Sequence, residues 1–258
     1  MTADHLRLSV VIPVKDDATA LAVCLGALAA QSEHIFEVIV VDNGSVDDSA
    51  DVARRYGATV ITEGSPGIAA AAGAGYDSAR GEVVGRLDAD SVPSTDWAAR
   101  VLEYFHRHPT TSAVTGGALF VDGPRALRRV GARLYLGAYF VLVAGALGHT
   151  PLFGSNFAMR ASAWRSVSAE VHRRDGLIHD DMDLSFHLGP HGIRYSTDLH
   201  VGISSRPLSN GGMRLRLRRG LRSIVLHWPA QLPWLRVWAR IRRAGRARVH
   251  PGASPTSS

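Results

Sequence analysis

The sequence predicts an α/β fold, a mostly parallel central sheet flanked by helices, followed by a basic amphipathic helical extension. Three observations carry this expectation. Apolar runs of strand length alternate with helical stretches over the first half of the chain. Those runs are nearly unbroken rather than alternating, as in strands covered on both faces. Two of them end at an acid, Asp42 and Asp88. This pattern indicates βαβ units, with ligands expected at the strand C-terminal ends.

In order, Leu6 to Val14 reads as a buried strand, Ala18 to Ala30 as an Ala/Leu helix, and Phe36 to Val41 as a second strand ending at Asp42-Asn43-Gly44-Ser45. Asp47 to Tyr56 is a polar-faced helix with Ser45 or Asp47 available as N-cap. Ala58 to Thr62 is a short strand, Ala69 to Ala79 a small-residue helix, and Glu82 to Leu87 the strand that runs into Asp88-Ala89-Asp90. Trp97 to His108 continues as a helix and Ala113 to Val121 as a strand. Leu134 to Met159 carries no charged residue, but His149, Thr150, Pro151, Gly154, Ser155 and Asn156 interrupt it. Its apolar part is short of the roughly 20 residues of a membrane span, which predicts a buried or interfacial helix. The expected organisation is an α/β domain over residues 1–210, the basic extension over 211–250 and a disordered tail over 251–258.

The 258 residues, 46% hydrophobic and 20% charged, suit a folded globular protein with a sizeable core. A single cysteine, Cys24, excludes an internal disulfide and suits a reducing compartment; its apolar helical setting points to packing. Strand-like residues begin almost at once, so no leader is expected. The net charge of +6 is uneven: Lys15 is the only lysine, and arginine concentrates from Arg206 onward. That asymmetry separates an Asp-rich chemical half from a basic docking half.

Asp88-Ala89-Asp90 is the most informative motif. Two carboxylates one residue apart at a strand end repel each other unless a divalent cation with oxygen ligands sits between them, and such a cation grips a diphosphate. The competing reading is a solvated turn. Asp42, at another strand end, favours a nucleotide site. No Cys/His cluster suggests zinc.

Five motifs occur in order: Val11-Ile12-Pro13-Val14, Val41-Asp42-Asn43-Gly44-Ser45-Val46-Asp47, Gly81-Glu82-Val83 leading to Asp88-Ala89-Asp90, Gly154-Ser155-Asn156-Phe157-Ala158-Met159-Arg160, and Asp180-Asp181-Met182-Asp183-Leu184. Over about residues 7 to 206 the chain resembles a family 2 nucleotide-sugar glycosyltransferase of the GT-A fold. The resemblance implies inverting transfer of a sugar from a nucleoside-diphosphate sugar to an acceptor hydroxyl, with Mn²⁺ or Mg²⁺ as cofactor. It assigns the Pro13-Val14-Lys15-Asp16 turn to the nucleotide, Asp42 to the donor base, Gly67 to the donor side, Asp88 to the ribose and metal, and Asp90 to direct metal ligation, with Ala89 between them. The second acid of the Asp180-Asp181 pair is the implied general base, with Asp180 the alternative, while Asp183 N-caps the following helix or packs locally. Gly154, Ser155 and Asn156 correspond to the acceptor-side segment, against a plain turn, and His200 is either a further metal ligand or a structural strand residue.

The chain also departs from the pattern. Ala72-Gly73 stands where many relatives carry Arg-Asn, which leaves the donor open, and Gln231-Leu232-Pro233-Trp234 lacks the Gln-x-x-Arg-Trp of processive synthases, which favours single-sugar transfer. Arginines interleaved with Trp228, Trp234 and Trp238 read either as an interfacial helix on anionic lipid or as an amphipathic helix packed on the domain. The expected setting is cytoplasmic, peripheral on the inner face of the membrane, with a lipid-linked or envelope acceptor and no nucleic acid. A sugar nucleotidyltransferase is the alternative enzyme, disfavoured because Val14-Lys15-Asp16-Asp17 lacks glycine. A non-catalytic membrane-associated protein on a decayed fold is disfavoured by the intact acids. A dehydrogenase lacks its Gly-x-Gly-x-x-Gly.

Overall fold

The computed structural model describes residues 6–122, 125–189, 192–205, 212–229, 232–235 and 237–238. The expected tail at 251–258 and the whole arginine-rich stretch beyond Trp238 lie outside the described residues. The elements run β1 (Leu8–Val14), α1 (Ala18–Ala29), β2 (Glu37–Asp42), α2 (Ser49–Arg55), β3 (Thr59–Thr62), α3 (Ile68–Ser78), β4 (Val83–Arg86), β5 (Val92–Pro93), α4 (Trp97–Arg107) and β6 (Ala113–Phe120). They continue with α5 (Arg125–Leu147), β7 (Phe157–Arg160), α6 (Ala161–Val167), α7 (Asp180–Leu188), β8 (Ile193–Ile203) and α8 (Gly212–His227).

One sheet of eight strands has the order β3-β2-β1-β4-β7-β6-β8-β5. Its first half is the predicted parallel half: β1 pairs with β2 on one side and β4 on the other, and β2 with β3. Every residue of β1 is buried, which is why its sequence shows no polar alternation. The second half is mixed, with β7 antiparallel to both β4 and β6, and β8 parallel to β6. The four-residue strand β7, at the end of the uncharged run and closing on Arg160, is not among the strands the sequence predicts.

Helices cover both faces. On one, Leu21, Leu25 and Leu28 of α1 meet Trp97, Val101 and Phe105 of α4. On the other, Ala71, Ala72 and Tyr76 of α3 meet Trp164, Leu184 and Leu188. The small residues of α3 are a packing requirement, since a Cβ at Gly75 would collide with Val11 and Val41 of the strands beneath. Cys24 is buried in the first of these layers, as expected.

The helix anticipated within 134–159 is α5, 23 residues long, closed by Gly148 at φ 73, whose N–H bonds the Ala144 carbonyl. By length and composition it can cross a membrane. One face packs inward through Ala132, Leu136, Val143 and Leu147, while Leu134, Val141 and Leu142 are exposed.

Candidate active site

β1 lies between β2 and β4, so the loops after β1, β2 and β4 open at the same sheet edge. Asp42 accepts the Ser45 N–H at 2.9 Å and caps its own loop. Asn43 donates to the carbonyls of Glu63 and Ser65 and accepts the Gly67 N–H at 2.8 Å, which anchors the turn entering α3. Gly67 holds φ 121, a conformation that favours glycine. Lys15 donates to the Gly44 carbonyl at 2.9 Å. Asp16, at φ 51, accepts the Val46 N–H at 2.7 Å while its own N–H bonds Ser45 Oγ. Pro13 and Val14 are buried behind this rim.

Beside it, Arg86 is fully buried at the end of β4. Its guanidinium donates to Asp88 Oδ1 at 2.8 Å and to the Gly154 carbonyl at 3.3 Å, and lies 3.6 Å from Asp180 Oδ2. Its Nε has no hydrogen-bond partner among the described residues. Burial alone would weaken its protonation, but the carboxylates of Asp88, Asp180 and Asp181 outweigh that and keep it a cation. The other oxygen of Asp88 accepts the Ser155 hydroxyl at 2.6 Å, and the Asp88 N–H bonds Ser91 Oγ. Asp90 stands half-buried in the same turn, with Ala89 buried behind it.

Asp180 and Asp181 form the first turn of α7. Asp181 accepts the Gly154 N–H at 3.0 Å on one oxygen and the Met182 N–H at 2.8 Å on the other; the Tyr139 hydroxyl lies 3.2 Å from the first oxygen and shares its single proton with the Leu152 carbonyl at 2.7 Å. A carboxylate has roughly four acceptor sites, so the two amides and the shared tyrosine proton orient it and leave room for another donor. Asp180 is pushed up to about 6, chiefly by burial and then by Asp181 and Asp88, against the pull of Arg86. A continuous path therefore joins the two acidic elements: Asp88 to Ser155 through its hydroxyl, and Gly154 to Asp181 through its amide. Neither Arg86 nor Tyr139 stood out in the sequence. Arg86 is hidden as an ordinary strand residue, and Tyr139 lies in an apolar helix; an arginine two residues before the Asp-x-Asp motif was the one available signal.

Two expectations need correction, and a third is decided between its alternatives. Asn156 is fully buried, and its amide donates to the Gly117 and Leu199 carbonyls while accepting the Trp97 indole N–H. It braces β6, β8 and α4, with no side-chain group left for an acceptor. Of the two readings of Asp183, local packing is the one seen, since it makes no capping bond. It accepts the His172 N–H at 2.8 Å and meets His172 Nδ1 at 2.7 Å and His227 Nε2 at 3.3 Å. A histidine cluster also exists, where none was expected: His172, Asp183, His187 and His227 bring their ligand atoms within 4.8 Å of one another. His200 is exposed on β8, outside that cluster, with its carbonyl taking the Ser94 N–H at 3.4 Å.

The family profile described as glycosyl transferase family 2 matches residues 9–166. The glycosyltransferase AglE of Haloferax volcanii is 32% identical over 108 residues, covering 39% of this chain and 36% of that protein. The alignment thus spans about a third of that relative's length. Among solved structures, the glucosyl-3-phosphoglycerate synthase of Mycobacterium tuberculosis in complex with phosphoglyceric acid superposes with a TM-score of 0.61 at 18% identity, over 85% of this chain and 79% of that one. The mannosyltransferase PcManGT of Pyrobaculum calidifontis, in complex with GDP-Man and Mn²⁺, gives 0.58 at 18% identity, over 97% and 77%. At such identities the superpositions establish the shared GT-A fold. The profile match over more than half of its length makes this chain a member of glycosyl transferase family 2.

Proposed function

We propose that this protein transfers a single sugar, with inversion, from a nucleoside-diphosphate sugar to an acceptor hydroxyl. The observation that carries the proposal is the path from Asp88 through Ser155 and Gly154 to Asp181, which couples a diphosphate-side acid to a base-side acid in one rigid network. In this reading Asp42 and the Pro13–Asp16 rim receive the nucleotide, with Gly67 on the donor side. Asp181, oriented by the Gly154 and Met182 amides and the Tyr139 hydroxyl, takes the proton from the attacking hydroxyl. Asp180 is the alternative base. Gly154 and Ser155 lie between the two acids on the acceptor side, their polar groups engaged by Asp181, Arg86, Ser91 and Asp88.

The donor set on this edge fits a hard divalent cation, because Asp88 and Asp90 offer only oxygen. Arg86 already compensates one charge on Asp88, so Asp90 is the stronger ligand, with Asp88 beside it and His200 as a further candidate. Mn²⁺ or Mg²⁺ held there supplies charge neutralisation for the departing nucleoside diphosphate. PcManGT was solved with GDP-Man and Mn²⁺, which supports a nucleotide-sugar and cation of this kind here.

The exposed faces support peripheral attachment to an anionic inner membrane surface and a lipid-linked acceptor. Leu134, Val141 and Leu142 of α5 are exposed, as are Leu217, Leu221 and Val225 of α8, spaced one turn apart beside Arg218 and Arg222. Flotation with anionic liposomes checks this, and equal recovery with neutral liposomes would remove the electrostatic part.

The central test is a panel of nucleotide sugars scored for nucleoside-diphosphate release with and without Mn²⁺. Cation-dependent release from one donor, lost in Asp90→Ala, is expected. Release unaffected by both Mn²⁺ and Asp90→Ala would overturn the cation assignment, and a product of retained anomeric configuration would overturn inversion.

A further inference from the structure

Away from the carboxylate edge, four side chains converge at the other side of α7. Asp183 and His187 lie one turn apart on that helix, His172 comes from the segment before it, and His227 from the last residue of α8. Asp183 Oδ1 lies 2.7 Å from His172 Nδ1, 3.3 Å from His227 Nε2 and 3.8 Å from His187 Nε2, and the two Nε2 atoms face each other at 3.4 Å. Asp183 is 2% and His227 5% exposed, so these groups meet largely out of water.

The outer nitrogens decide what the inner ones present. His227 Nδ1 sits 2.7 Å from the Ser223 carbonyl, which only accepts, so Nδ1 carries the proton and Nε2 presents a lone pair inward. His187 Nδ1 lies 3.4 Å from Glu170 Oε2, a carboxylate near enough to favour the same tautomer. Phe186 stacks flat on the His227 ring at 4.0 Å and holds its plane. Two imidazole lone pairs and a carboxylate oxygen then point at one another, an arrangement that repels unless a cation or shared protons lie between them. The outward hydrogen bonds are the arrangement that orients metal-binding imidazoles.

We propose that His172, Asp183, His187 and His227 form a second cation site, separate from the oxygen-lined one, that takes a zinc-like divalent ion and fastens α8 to α7. Three imidazoles and one carboxylate are a closed four-ligand set, the pattern of a structural rather than an open catalytic site. Bonds of about 2.0–2.1 Å imply tetrahedral donor–donor edges of about 3.3–3.4 Å; the contacts of His227 with Asp183 and His187 already match, while metal binding must open the 2.7 Å His172–Asp183 hydrogen bond and draw His187 in from 3.8 Å. Imidazole donors select against Mg²⁺ and favour zinc or its transition-metal neighbours. His172, half-exposed, supplies the entry path. Because Asp181 lies two residues from Asp183, the same ion steadies the turn that carries the proposed base.

The test needs no transfer assay, so its outcome is independent of the proposed donor chemistry. Full-length protein, passed over a desalting column, is assayed for zinc by elemental mass spectrometry. It is then demetallated and titrated with Co²⁺, whose visible absorption intensifies in a four-coordinate site. The expected result is about one zinc per chain and an intense, saturating Co²⁺ spectrum. The thermal midpoint should fall on demetallation and recover with Zn²⁺ but not with Mg²⁺ at the same concentration. The double variant His187→Gln, His227→Gln should lose the bound equivalent, while Asp90→Ala keeps it. Zinc no higher than in a buffer control together with a weak, unsaturating Co²⁺ spectrum would overturn the site in favour of a proton-shared network. So would a double variant that retains its zinc. Should that variant not fold, the wild-type Co²⁺ titration decides alone.

Discussion

Asp181 and Asp183 stand two residues apart on α7, and at roughly 100° of rotation per residue they face opposite sides of the helix. Asp181 meets two backbone amides and a tyrosine hydroxyl, beside Arg86 and Asp180. Asp183 meets three imidazoles. The first surroundings are hard, hydrogen-bonded and next to a sheet edge that suits a diphosphate; the second are closed and rich in nitrogen. Residue type therefore says little about role on this helix. What decides it is which loops and helices are brought against each face: the Gly154 turn and α5 on one side, α8 and the segment carrying His172 on the other.

Arg86 is where the comparison breaks most severely. Arg86→Met leaves the carboxylates of Asp88 and Asp180 without their buried cation. It should lower unfolding free energy by about 3 kcal/mol, the lower end for a broken buried pair because Asp88 keeps 30% exposure. Denaturant unfolding measures it; a loss below about 1 kcal/mol would mean that Arg86 is not the electrostatic hub.

Asp180 gives a smaller effect of opposite sign. Burial raises it to about 6, above its unfolded value, so its contribution to stability is intact below about pH 4 and lost as pH rises through 6. Asp180→Asn should accordingly stabilise the protein by about 1–3 kcal/mol at pH 8, with the gain vanishing near pH 4. Thermal unfolding of both proteins across that range checks it; a gain independent of pH would contradict the burial account. Smallest of the three, Tyr139→Phe removes the hydroxyl within reach of the Leu152 carbonyl at 2.7 Å and Asp181 at 3.2 Å. It should cost about 1–2 kcal/mol of stability, together with a fall in turnover if the hydroxyl aims the base. Unchanged turnover would leave the amides of Gly154 and Met182 as the orienting groups.

The legible parts of the sequence were those whose neighbours are periodic. β1, β2 and β4 are buried on both faces, so their apolar runs and the acids that end them, Asp42 and Asp88, could be read directly. β7 was not, because four residues at the end of an uncharged run carry no period of their own. Arg86 looked like a strand residue, since its partners Gly154 and Asp180 are distant in sequence. Asn156 has the chemistry to bind hydroxyls, and only the fold reveals that Gly117, Leu199 and Trp97 consume it. The histidine cluster is spread from residue 172 to 227, and its sole local trace is the one-turn spacing of Asp183 and His187.

The most direct test of the two-faced helix is turnover and unfolding midpoint measured on the same preparations of Asp181→Asn and Asp183→Asn. A crossed result is predicted. Asp181→Asn should lose roughly 10²- to 10⁴-fold in turnover, the range of a general base, while keeping its donor binding and its bound zinc, with a midpoint lowered only by the one amide bond that its NH₂ can no longer accept, about 1–2 kcal/mol. Asp183→Asn should lower the midpoint and its bound zinc while the folded fraction still turns over. Full turnover in Asp181→Asn, or the same loss of both properties in the two variants, would contradict the assignment of distinct chemistry to the two faces of α7.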